Sequence, residues 1–235
     1  MCIRDRFMFK KLNNIGDSAI VCDFGDEVNQ AVNNRVIKLF NFIRKQSQLG
    51  NIKGILNSTP SYNKLIISFD LQITNSNTVF DFINSVDFEN LNLDQDKKDW
   101  TIPICYEFGI DLIDMSKQLK LDKEEIISIH SKSIFFIYMI GFVPGHPFMG
   151  DLDSKLFLSR LKTPRVKVPS GSVGVVEKFC NIYPYDSPGG WNIIGKTPIK
   201  LFNNKDSLNP CLLSPGDTIK FKSISKEEFD SFKNE

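Results

Sequence analysis

Apolar residues at Val28, Val32, Val36, Leu39, Phe40 and Ile43 recur at three- and four-residue intervals, which predicts a helix from Glu27 to about Gln48. The segments around it follow a different rhythm. Phe9–Leu12 and Ser18–Phe24 read as short strands about a turn at Asn14-Ile-Gly-Asp17. Ile52–Leu56 and Lys64–Phe69 read as two more, the second alternating through Leu65, Ile67 and Phe69. Thr78–Val86 reads as a second helix with Asn77 as its cap. The order β-β-α-β-β-α predicts a small sheet with its helices on one face.

Residues 87–98 are polar and acidic and read as a linker. Beyond them a strand is expected at Trp100–Tyr106 and helices at Asp111–Leu119 and Lys123–Ser131, the latter with Asp122 and Glu125 as a capping pair. An apolar strand is expected at Ser133–Ile140. Short strands then recur near Val173–Val176, Ile182–Tyr183, Trp191–Ile194, Ile199–Phe202 and Asp217–Phe221. That series predicts a closed or nearly closed barrel. The expected organisation is thus α+β, with a small α/β domain over 8–88 and a β-barrel domain over 99–228. The opening Met-Cys-Ile-Arg-Asp-Arg resembles a translated adapter remnant, so residues 1–7 are set aside as a non-native leader and Met8 is the expected start.

Composition narrows the function. The chain has 235 residues, 41% hydrophobic, with 29 basic against 28 acidic side chains. So even a balance gives no electrostatic argument for nucleic acid or an anionic membrane. No apolar run approaches the roughly 18 residues of a membrane span, and a cytoplasmic location is expected. The five cysteines are widely spaced and form no Cys-x-x-Cys pair, and the two histidines, His130 and His146, are far apart, so neither a zinc site nor a disulfide framework is expected. His130, at a helix end, is read as structural and favoured by the helix dipole.

Residues 141–200 hold seven of the eleven prolines and eight of the fourteen glycines. These punctuate short apolar runs, a pattern of rigid loops between strands, and rigid loops commonly carry binding chemistry.

The motifs in this region carry a resemblance. Gly141-Phe-Val-Pro-Gly145, Thr163-Pro-Arg165, Val168-Pro-Ser-Gly-Ser-Val-Gly174, Ile182-Tyr-Pro184, Ser187-Pro-Gly-Gly-Trp191 and Ile194-Gly-Lys-Thr-Pro198 occur in one order, with Gly16-Asp17 and Tyr62 upstream. The chain resembles the B subunits of prokaryotic 5-oxoprolinase complexes, the Kip-inhibitor or allophanate-hydrolase-subunit-1 family (carboxyltransferase subdomain C and D). The resemblance implies a small α/β first domain and a cyclophilin-like β-barrel second domain. It implies the 5-oxoprolinase C and A subunits as partners, and ATP with Mg2+, in converting 5-oxo-L-proline to L-glutamate, with the B and C subunits acting in phosphorylation of the lactam oxygen. Relatives imply two alternatives, an inhibitor of a sensor histidine kinase and an allophanate or urea amidolyase-type subunit. The chain departs from the family pattern at Gly145-His146, where Gly-Phe is usual, at Phe179-Cys180-Asn181, where Gln-Thr-Gly is usual, and at Gly195-Lys196, where Gly-Arg is frequent.

An amide is a poor electrophile, and a site that activates one must bind anionic groups and exclude water. Arg165 is the candidate anion ligand through its bidentate fork, with a solvated surface charge as the competing reading. His146 and Tyr183 are candidate proton or hydrogen-bond donors, with packing or a partner contact the favoured account of His146. Ser170, Gly171 and Ser172 could offer backbone N–H groups to an anion or simply form a tight turn. Ser187, Gly189, Gly190 and Trp191 are candidates for a pocket wall with close backbone approach. Lys196 is a candidate phosphate partner or a surface lysine. Asp17 fits either a ligand contact or an Asx turn. No residue is expected to bind a resident metal.

Overall fold

The computed structural model describes residues 9–88, 97–206 and 208–232. The leader expected at 1–7, the start at Met8 and most of the linker expected at 87–98 lie outside them. The chain forms two compact units, residues 1–96 and 97–235.

The first unit contains β1 (Lys11–Ile15), β2 (Ala19–Asp23), α1 (Gln30–Gln48), β3 (Ile55–Pro60), β4 (Lys64–Phe69) and α2 (Ser76–Asn84). Its four strands form an antiparallel sheet ordered β1-β2-β4-β3. Gly16, at φ +60, lets the chain reverse between β1 and β2. Side chains alternate across a strand, so Ile20, Cys22, Leu65, Ile67 and Phe69 share one buried face. Val32, Val36, Leu39 and Ile43 of α1 and Val79 and Ile83 of α2 complete that core, placing both helices against the same face as the periodicity predicts. Asn33 is wholly buried on α1 because its amide donates to the carbonyls of Ser61 and Tyr62 at 3.0 and 2.9 Å. The cap of α2 is Asn75 rather than Asn77: its side chain accepts from the Thr78 N–H at 3.1 Å, and the helix starts two residues earlier than expected.

The second unit contains β5 (Asp99–Ile104), α3 (Leu112–Leu119), α4 (Lys123–Lys132), β6 (Ile134–Ile140), β7 (Pro147–Gly150), β8 (Arg165–Val168), β9 (Ser172–Val176), β10 (Phe179–Ile182), β11 (Ser187–Gly189), β12 (Asn192–Lys196), β13 (Thr218–Ser223) and α5 (Lys226–Ser231). Seven strands form one sheet ordered β12-β9-β10-β7-β6-β13-β5, antiparallel except where β13 pairs with β5. The two outer strands of that order meet again. Cys105, directly after β5, exchanges backbone hydrogen bonds of 2.8 and 3.0 Å with Lys196 at the end of β12, so the sheet curls until its edges touch. Ile137, Met149, Val173, Val175, Cys180, Ile182, Ile194 and Phe221 fill the main core, with Met115 of α3 and Ile126 of α4 packed against them.

Several expectations change in this unit. No strand forms over Ile199–Phe202; a single bridge joins Phe202 to Cys211. Asp122 caps α4 by position, yet its side chain makes no capping bond. Strands β7, β8 and β11 were not expected, because each spans only three or four residues, too few for a period to show. His130 is fully buried against Phe135 and Phe221, with the Tyr106 hydroxyl 2.8 Å from its Nδ1. Burial pushes its pKa down to about 3, the reverse of what a helix C-terminus would do. Desolvation of the imidazolium outweighs the dipole here.

Candidate functional site

The second unit's sheet has two covered faces. Cross-strand partners lie on the same face, so the pairs Ile193–Gly174, Gly174–Asn181 and Asn181–Phe148 carry one row across β12, β9, β10 and β7. Their neighbours Val175, Cys180 and Met149 face the main core. The opposite face is covered by the two-stranded ribbon β8–β11, through a small cluster of Val168, Tyr183 and Ile193. This is why β9 is buried at every position.

Three sequence candidates meet on this second face. His146, 2% exposed, stacks on Phe148 with centroids 4.6 Å apart and lies 5.3 Å from the Tyr183 ring. Its Nε2 is 3.1 Å from the side-chain Nδ2 of Asn181. Trp191 packs edge-on against Phe148 at 6.0 Å. Burial holds the imidazole at a pKa of about 4, so it is neutral at physiological pH. Burial likewise raises the Tyr183 hydroxyl, which stays protonated, even though Asn181 and the Trp191 backbone bond to it in the lowering direction.

Two glycines allow this packing. A Cβ on Gly189 would stand 2.4 Å from the Tyr183 hydroxyl oxygen, and one on Gly174 would stand 2.8 Å from Asn181 Oδ1. Gly190 is different: its nearest neighbour to a Cβ would be Pro164 at 3.6 Å, an ordinary contact. Within the fold, then, a side chain packs closely on the backbone of Gly189 and not on that of Gly190.

Arg165 opens β8 and faces inward. Its guanidinium pairs with Asp111, a buried carboxylate at the head of α3, and Nη1 reaches the Trp191 carbonyl at 3.5 Å. Asp111 also accepts from the Ile193 N–H at 2.6 Å, while its own N–H donates to the Ile193 carbonyl at 3.1 Å. Arg165 is thus a partly buried, internally paired charge, and a solvated surface residue is not what it is. Sequence reasoning missed Asp111 because at the start of a helix it looks like an ordinary cap. It also named Asn181 only as a departure, although a lone amide in an apolar strand was the available signal.

The remaining candidates form a second group. The N–H of Ser170 donates to Asp186 at 2.8 Å, that of Gly171 to the Tyr183 carbonyl at 2.7 Å, and that of Ser172 to the Pro169 carbonyl at 3.2 Å. All three donors are spent inside the fold, which corrects the reading of this turn as an anion cradle. Gly171 is needed instead for its φ of +82 and for a Thr197 carbonyl 2.4 Å from where its Cβ would be. Lys196 lies over the Phe229 ring at 6.0 Å, beside the strand-closing bridge, and is not among the His146 neighbours. Ser187 sits on β11, and its buried Oγ has no hydrogen-bond partner. Cys180 turns to the core with its Sγ 3.8 Å from His130 Nε2. Burial raises its thiol pKa. Asp17 lies in the turn between β1 and β2.

The described residues contain no group of three or more His, Cys, Asp or Glu placed to hold a metal ion. None of their helices is long and apolar enough to cross a membrane.

Known proteins correspond to this chain over most of its length. Residues 10–213 match the family described as carboxyltransferase domain, subdomain C and D. The chain is 33% identical to the 5-oxoprolinase B subunit of Bacillus subtilis, over 96% of this chain and 97% of that one. It is 32% identical to the 5-oxoprolinase B subunit of Haemophilus influenzae, over 88% and 94%. Among solved structures, TTHA0988 superposes with a TM-score of 0.79 at 27% identity, covering 89% of this chain and 40% of that one, so this chain spans about two fifths of that protein. A conserved uncharacterized protein, PH0987 from Pyrococcus horikoshii, is 33% identical with a TM-score of 0.54 over 93% and 100%.

Proposed function

The chain belongs to the carboxyltransferase subdomain C and D family, and we propose that it serves as the B-type component of an ATP-dependent 5-oxoprolinase that opens 5-oxo-L-proline to L-glutamate. One observation carries this reading: the correspondence with the Bacillus subtilis protein runs end to end in both chains. The similarity to the urea amidolyase of Lachancea kluyveri covers only 38% of this chain and 5% of that protein, which favours the 5-oxoprolinase reading over the amidolyase one.

In this reading the second unit is a cyclophilin-like barrel, and the complex is cytoplasmic with the C and A subunits as partners. Arg165, His146 and Tyr183 form this chain's contribution to the substrate site. A guanidinium has five N–H donors, and Arg165 commits only part of that fork to Asp111 and Trp191, so it retains donors for a substrate carboxylate. His146 and Tyr183 are neutral hydrogen-bonding groups within an aromatic shell that excludes water.

ATP and Mg2+ belong to the complex, but the residues of this chain do not fit them. The turn at 170–172 has no N–H left to cradle a phosphate, no Gly-Lys phosphate loop precedes a helix, and no acidic cluster occurs among the described residues. Phosphate binding is therefore assigned to a partner in the complex.

The test is co-expression with candidate C and A subunits, followed by an ATPase assay with and without 5-oxoproline. Glutamate formation with 5-oxoproline-dependent ATP hydrolysis by the complex, and near-zero turnover by this chain alone, is the expected result. An assembled complex whose ATP hydrolysis ignores 5-oxoproline overturns the reading.

A further inference from the structure

Asp111 breaks a local rule. It stands at the N-cap of α3, where an aspartate ordinarily accepts from N–H groups of the first turn, yet its side chain makes no capping bond. The carboxylate is buried and turned to two groups from elsewhere in the chain. One oxygen pairs with the Arg165 guanidinium, and the other accepts from the Ile193 N–H at 2.6 Å. A cap forgone in favour of distant partners is the kind of local inconsistency that marks a functional constraint.

The backbone fixes the aim of this carboxylate without help from Arg165. The segment leading to Asp111 lies along the edge of β12. Cys105 exchanges two backbone bonds with Lys196, and a Cβ on Gly109 would stand 2.3 Å from the Ile194 carbonyl oxygen. The Asp111 N–H donates to the Ile193 carbonyl at 3.1 Å, and its own carbonyl accepts from the Met115 N–H at 2.8 Å. Arg165 is the opposite case. It projects from a two-stranded ribbon, and its long side chain is partly exposed. Such a side chain loses much rotamer freedom when it grips a ligand. A fixed carboxylate on one part of the fork, with the Trp191 carbonyl 3.5 Å from Nη1, removes that freedom beforehand and leaves the other N–H donors uncommitted.

We infer that Asp111 is a positioning residue, which aims the Arg165 fork so that its uncommitted donors meet the carboxylate of the substrate. The substrate part rests on the 5-oxoprolinase reading; the aiming of Arg165 by Asp111 does not. Charge alone predicts the opposite effect. A carboxylate beside the guanidinium weakens its pull on an anion, so removing that carboxylate would tighten binding. Positioning and charge compensation therefore differ in sign.

The experiment uses the assembled complex. Asp111→Asn is nearly isosteric: its amide oxygen can keep the Ile193 N–H, while its NH2 faces the Arg165 donors. The expected result is a KM for 5-oxoproline raised about tenfold, with kcat changed by less than about threefold. In an Arg165→Met background the same substitution should leave KM unchanged, because Asp111 acts through Arg165. A KM that falls or stays level in Asp111→Asn, or that rises equally in the Arg165→Met background, overturns the inference and leaves the enzyme reading standing. The unaltered full-length chain gives a second reading that needs no turnover and holds even if a variant does not fold. With its arginines labelled with nitrogen-15, Arg165, assigned by its loss in Arg165→Met, should show separate Nη signals from hindered rotation, and Asp111→Asn should merge them. A single averaged Nη signal in the unaltered chain overturns the inference by itself. Separate signals in a chain whose complex hydrolyses ATP without regard to 5-oxoproline remove the 5-oxoprolinase reading and leave the aiming of Arg165 standing.

Discussion

Asp111 and Arg165, 54 residues apart in sequence, form an ion pair in which the carboxylate side chain is 6% exposed and the guanidinium 28%. The same carboxylate accepts from the Ile193 N–H, so one buried charge ties α3, β8 and β12 together. Removing the arginine would strand that charge.

Arg165→Ala should therefore destabilise the chain by about 2–3 kcal/mol, allowing for the exposed part of the guanidinium. The denaturant midpoint measures this. A midpoint unchanged from the wild type would show that Asp111 does not need its partner. Arg165→Lys should recover part of the loss, because an ammonium restores the charge but not the fork.

Gly189→Ala should cost about 1–3 kcal/mol, because its Cβ would collide with the Tyr183 hydroxyl. Gly190→Ala, with ordinary contacts, should stay within about 0.5 kcal/mol of wild type. Thermal melts of the two variants side by side separate these cases; equal melts would contradict this packing.

Stability should fall on acidification. Both histidines have folded pKa values depressed by burial, His130 to about 3 and His146 to about 4, from an ordinary 6.5. Below 6.5 the unfolded chain takes up protons that the folded chain refuses. The stabilisation is complete above that value and is lost as pH drops towards the folded pKa values. By about pH 4.5 each histidine should have removed about 2–3 kcal/mol. Urea titrations at neutral and acid pH measure the difference. His146→Phe should flatten part of the slope, and an unaltered slope would show that His146 is not a buried neutral group.

Asn33→Ala should destabilise the first unit by about 1–3 kcal/mol, since it strips the Ser61 and Tyr62 carbonyls of a shared amide donor. Chemical denaturation followed by circular dichroism reads this directly. A variant as stable as wild type would mean that these carbonyls find another donor without cost.

Much of the architecture was legible because local pattern and burial coincide. The three-to-four spacing of α1 and the alternation of β4 are direct imprints of a single apolar face, and β4 falls at Lys64–Phe69 as expected. Pattern failed where strands are very short. β8 and β11 span only four and three residues and form a ribbon laid on the sheet, too few positions for alternation between water and core to show. It failed again at caps, where Asn75 and Asn77 are equally plausible until the backbone selects one.

The candidate site was legible in composition but not in geometry. Motif order placed Arg165, His146, Tyr183, Gly189 and Trp191 within one punctuated stretch, and they do gather on one face. Their actual partners came from elsewhere: Asp111 from the head of a helix, and Asn181 from an apolar strand. His146 and Asn181, 35 residues apart, bond to each other.

Residue types and their spacing were enough to read a mixed α and β chain and its glycine-dependent turns, because these depend on neighbours close in the chain, and the ordered motifs carried the family resemblance. Which charges are paired, which N–H groups are already spent and which polar atoms are left wanting came from strand register and the folding of the β8–β11 ribbon onto the sheet. Those are contacts between residues tens of positions apart, and burial by distant segments leaves no periodic trace in the sequence.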